Sequence, residues 1–95
     1  MLFSLALYEL VPSGNGETFS ELQVKVGSVP LAEVPHALAY LEKQIGGEMI
    51  SDDDLDGYRL QRTYVRGGQK FDIVVRALED RSPVELLRIQ MRIGR

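Results

Sequence analysis

Residues 34–47 read Val34-Pro35-His36-Ala37-Leu38-Ala39-Tyr40-Leu41-Glu42-Lys43-Gln44-Ile45-Gly46-Gly47. Val34, Leu38, Leu41 and Ile45 recur at steps of four, three and four, with Ala37 beside them, so one face of a helix is apolar and the opposite face polar. Pro35 has no N–H to donate and is tolerated without loss only in a first turn, which sets the start near Glu33. Gly46-Gly47 supplies the stop. A helix of about three turns follows, and the flanking sequence must provide a surface for its one apolar stripe.

On the N-terminal side, Leu2–Val11 is apolar on both alternating sets, Phe3/Leu5/Leu7 and Leu2/Ala6/Tyr8/Leu10, as expected of a central strand. The turn formers Pro12-Ser13-Gly14-Asn15-Gly16 follow, and Glu21–Val26 then alternates polar and apolar, giving a hairpin with one wet face that Gly27 and Pro30 should close. Beyond the helix, Tyr58–Arg66 and Phe71–Arg76 flank Gly67-Gly68 and read as a second hairpin. Leu87–Ile93 alternates strictly, with Leu87, Ile89, Met91 and Ile93 on one side and Arg88, Gln90 and Arg92 on the other, which predicts a last strand after a turn near Pro83. The expected fold is one α+β domain over residues 1–95, in the order ββαβββ, with a mostly antiparallel five-stranded sheet and one amphipathic helix on one face.

The chain has 95 residues and no cysteine. A length of this order buries about 60–65% of the unfolded surface, enough for a modest core. Without cysteine, disulfides, thiolate metal sites and thiol nucleophiles are excluded, and a cytoplasmic location is the default expectation. The opening MLFSLALY lacks a basic flank and is far shorter than the roughly 20 apolar residues that span a bilayer, so it reads as a strand and implies no membrane.

Charge is divided along the chain. Residues 1–57 carry ten acidic side chains against two basic ones, whereas residues 58–95 carry nine basic against four acidic, and all eight arginines fall in the second group. Opposite strands of one sheet can pair such charges, or two patches of opposite sign can result.

Three features bear on function. Ser51-Asp52-Asp53-Asp54-Leu55-Asp56-Gly57 matches the first half of a calcium-loop pattern, but the twelfth position would be Thr63 and the eighth Arg59, and no second helix is expected after it. It reads as a solvated acidic connection, with an acidic docking surface and a weak, non-EF calcium site as the alternatives. Arg76, Arg88 and Arg92 should share the sheet face away from the helix, where Tyr58 and Tyr64 would support a nucleic-acid-binding reading. That same face, with Ala6, Tyr8 and Leu10, is amphipathic and suits a homodimer or a protein partner. His36, the only histidine, stands at the helix start with no nucleophile or second ligand near it in sequence, and the Gly-rich pairs fall in predicted turns, where no helix follows to cradle a phosphate.

The expectation is therefore a non-enzymatic protein-binding module with no cofactor, catalytic residue or metal ligand. By analogy of class, it fits compact inhibitors, immunity factors and phage-encoded, anti-CRISPR-like antagonists that cover a basic surface of a target complex. The binding residues would be Asp52, Asp53, Asp54 and Asp56, with Arg88 and Arg92 as the second candidate surface.

Overall fold

The apolar stripe folds as α1 (Val34–Ile45), and Val34, Leu38, Leu41 and Ile45 are the side chains it buries. A short 3₁₀ turn over Leu31–Glu33 leads into it, Pro35 falls in its first turn, and Gly46 ends it in the left-handed region at φ 66°, its N–H donating to the Glu42 carbonyl at 3.0 Å. Each stripe side chain removed from water contributes about 1.5–3 kcal/mol before entropy is charged against it.

The computed structural model describes residues 2–55, 59–78 and Arg88. Five strands surround the helix in sequence: β1 (Leu2–Pro12), β2 (Thr18–Pro30), β3 (Glu48–Leu55), β4 (Arg59–Arg66) and β5 (Gln69–Ala77). They form one antiparallel sheet in the order β2-β1-β5-β4-β3. The α+β class, the ββαβββ order and the packing of α1 on one face of the sheet are as the sequence predicts.

Alternation along each strand decides which side chains meet α1. Phe3, Leu5 and Leu7 of β1, Ile73 and Val75 of β5, and Leu60 and Tyr64 of β4 join the four helix residues in one buried cluster. The registers Leu5↔Val75↔Leu60 and Leu7↔Ile73↔Arg62 run these rows straight across the sheet beneath the helix. Gly47 marks a close approach at the exit from α1: a Cβ there would collide with the Val65 carbonyl of β4, so the turn into β3 depends on glycine.

Three elements differ from expectation. First, β2 runs on through Gly27 to Pro30, with a register shift between Phe3 and Leu5 and with Ser28 at φ 56°. Because β2 is an edge strand, a proline there loses no ladder bond it needs, and an irregularity is absorbed on the open side. Second, Glu48–Leu55 is the strand β3, where an acidic connection was expected; the strand that was expected third is the fourth. Third, Arg88 is helical, not extended. The rest of the predicted strand Leu87–Ile93, including Arg92, lies outside the described residues.

Candidate functional site

β3 becomes a strand through its neighbour. Asp52 stands directly opposite Arg62 of β4, and Asp53 opposite Gln61. An opposite-charge pair in register contributes about 0.2–1 kcal/mol, which offsets the poor strand propensity of aspartate. Successive side chains leave opposite faces, so Asp52 turns toward the side carrying α1 while Asp53 is exposed. This divergence differs from the calcium-loop geometry, in which alternate carboxylates converge from a loop, and among the described residues no group of three or more acidic or imidazole side chains is placed to hold a metal ion.

Asp52 is the hub of an ionic cluster. Its Oδ1 and Oδ2 accept from Arg88 Nη2 at 2.9 Å and Nη1 at 3.2 Å, a two-pronged fork. Oδ2 also lies 3.3 Å from Arg62 Nε, but that nitrogen makes no hydrogen bond, so the contact is an ion pair alone. The Arg62 side chain, only 8% exposed, reaches on to Glu42 of α1, with Nη1 3.6 Å from Oε2. The same Glu42 oxygen accepts a 2.6 Å hydrogen bond from Tyr64 Oη. Partial burial pushes the Asp52 carboxyl up, but the Arg88 hydrogen bonds and the charges of Arg62 and Arg88 outweigh it and hold the group below the ordinary carboxylate value. Burial first, and then the bond and charge of Glu42, push the Tyr64 phenol well above its ordinary value of 10.

One turn further, Arg66 Nη1 donates to the Ile45 carbonyl at 3.0 Å, capping the C-terminal end of α1, while its guanidinium stacks 5.8 Å from the Phe71 ring centre. Leu60, Arg62, Tyr64 and Arg66 alternate along β4, and the last three clasp the C-terminal half of the helix and its exit by polar contacts.

The predicted binding residues thus separate. Asp52 and Arg88, expected on two different surfaces, hold each other. Arg88 reaches Asp52 on the α1 side and does not join Arg76 on the opposite face. Asp53 is free of this cluster and exposed; the backbone of Asp54 pairs opposite Leu60, continuing the strand. Asp56 and Arg92 lie outside the described residues. His36 is exposed in the first turn of α1.

What the sequence reading missed is the edge itself. Among the described strands β3 is the outermost on its side of the sheet, and Met49 and Ile50 on it are 45% and 55% exposed. Two apolar residues, separated from the aspartate run by Ser51 alone, were the available signal. Among the described residues, no helix is long and apolar enough to cross a membrane. No protein-family model, curated protein or solved structure matches this chain.

Proposed function

We propose that this chain is a non-enzymatic protein-binding module that engages its target through the open edge of β3. The observation that supports this is the combination on one strand of an edge that no other described strand pairs with, the exposed apolar pair Met49 and Ile50, and the exposed acids Glu48 and Asp53. A segment that pairs with such an edge gains main-chain hydrogen bonds, and its alternate side chains read the flanking surface. Lysine or arginine would answer the acids, and an apolar residue would cover Ile50. The fitting partner is therefore a protein presenting an extended basic segment, and a module of this kind acts as an antagonist by occupying a basic surface that its target needs.

The test is affinity capture from the native host's lysate after nuclease treatment. Three baits are compared: the unmodified chain, Ile50→Lys combined with Asp53→Lys, and Phe19→Ser on the opposite edge strand. The reading predicts a protein retained by the first and third baits and lost with the second. Retention by all three, or loss on nuclease treatment, would refute it. Circular dichroism of each bait establishes that the sheet is intact.

A further inference from the structure

The sheet face opposite α1 holds a second feature. Small residues on β1, Ser4 and Ala6, lie between longer side chains of β2 and β5, and the step in height leaves a cavity of about 190 Å³. Ser4, Ala6 and Val74 form its floor, with Tyr8, Lys25 and Arg76 around them. The register explains the grouping: Lys25 is opposite Ala6, Ala6 is opposite Val74, and Ser4 is opposite Arg76.

The polar lining is made of hydrogen-bond donors. Lys25 and Arg76 bring two positive charges, and the Ser4 and Tyr8 hydroxyls can each turn a proton toward the cavity. None of these four side chains has a hydrogen bond or ion pair among the described residues. Among the described residues, no carboxylate lines the cavity. The nearest acid in register on this face, Asp72 opposite Tyr8, is already engaged, its two oxygens accepting from Thr63 at 2.6 Å and Gln61 at 3.1 Å. Arg59, directly opposite Arg76 on the same face, is engaged in a contact of its own. In a molecule of formal net charge −3, this is a local concentration of cations around a concave apolar floor.

Ser4 and Ala6 are almost fully buried, at 8% and 9% exposure, so the floor is fixed by the sheet while the charged walls are free to close. An oxyanion would meet a planar guanidinium able to bond it at two points, an ammonium, and a hydroxyl. The volume is that of about six waters at roughly 30 Å³ each, below the roughly 300 Å³ at which pockets for drug-sized molecules begin. That excludes a dinucleotide or a comparable cofactor and leaves room for an anionic head on a short apolar body.

We propose that this cavity is a binding site for a small organic oxyanion, a phosphate monoester or carboxylate. Its head lies between Arg76 and Lys25, and its apolar stem rests on Ala6 and Val74. The site is on the other face of the sheet from the Asp52 cluster and does not depend on the β3 reading.

The test is a titration of the ¹⁵N-labelled full chain, followed by amide shifts at constant ionic strength. Phenyl phosphate, benzoate, inorganic phosphate, sodium chloride and a short single-stranded oligonucleotide serve as the probes. Saturable shifts with phenyl phosphate or benzoate, centred on Ser4, Ala6, Lys25, Val74 and Arg76, are expected. Arg76→Gln should weaken them about tenfold and Lys25→Gln several-fold, the loss typical of one charge-assisted bond. Phenyl phosphate shifting further than benzoate would assign the head as phosphate, and the reverse order as carboxylate. Three outcomes would overturn the proposal: non-saturating shifts that chloride reproduces, equal affinity in Arg76→Gln, or a response to the oligonucleotide alone, which would make the face a polyanion surface.

Discussion

Arg62 and Arg76 are placed on neighbouring strands of one sheet, yet they belong to two different environments. Arg62 faces α1, is nearly buried, and is shared between Asp52 and Glu42. Arg76 faces the other way, is exposed, and has no side-chain partner among the described residues. A cation under the helix must be paired, because an uncompensated charge there costs several kcal/mol; a cation on the bare face remains hydrated and free to meet something else. Identical residue types in a sequence therefore divide into scaffold and available chemistry according to which side of one sheet they leave.

The contrast is broken most severely by Arg62→Ala. The change leaves Glu42 without its cation, held by the Tyr64 hydroxyl alone, and removes one of the two cations that hold Asp52, and because both carboxylates keep some contact with water the expected loss is about 2 kcal/mol, or roughly 10 °C in Tm for a domain of this length. Chemical and thermal denaturation measure it. A loss under half a kcal/mol would mean the cluster is ornamental.

Next in size is Tyr64→Phe, which removes the bond to Glu42 and should cost about 1 kcal/mol at neutral pH. Its sharper signature is in alkali. The phenol's value is raised in the folded chain, so Tyr64 adds stability that is fully present below pH 10 and is lost as pH rises above it. The unmodified chain should weaken more steeply than Tyr64→Phe above pH 10, and parallel curves would contradict the Glu42 contact.

Arg76→Gln should change least. It alters an exposed side chain with no described partner, so stability is expected to stay within about 0.5 kcal/mol of the unmodified chain. That near-silence is what lets any loss of anion binding in this variant be read as loss of a ligand contact. A large destabilisation would place Arg76 in the scaffold with Arg62.

How much of this is legible in sequence depends on where the signal resides. α1 is legible because its stripe and its glycine stop are local and leave few alternatives. β1 is legible from its two apolar sets, and the β4–β5 hairpin from Gly67-Gly68, both of which adopt positive φ. β3 is not, because Ser51-Asp52-Asp53-Asp54 lacks strand propensity and acquires its conformation from Arg62, ten residues from Asp52 along the chain and directly opposite it in space. The same reason hides the candidate sites. The ionic cluster joins α1, β3, β4 and Arg88, and the anion cavity joins β1, β2 and β5, so each exists only once the register is set. Charge segregation along the chain was visible, but whether it produced patches or pairs was not. At Asp52 it produced pairs, and around Arg76 it left a patch.

The strand order carries a consequence for how this molecule assembles. β1 pairs with β2 across a short turn, and β3, β4 and β5 follow one another as a meander, so both pieces can form from neighbours in the chain. They meet along a single seam, where Phe3 lies opposite Ala77 and Leu10 opposite Lys70. Joining that seam requires closing nearly the whole chain into a loop, an entropic cost incurred before any contact across it is rewarded. Forming the seam is therefore the step expected to limit the folding rate. Amides of β1 and β5 that bond across it should exchange together, as one cooperative unit, and more slowly than those of either edge.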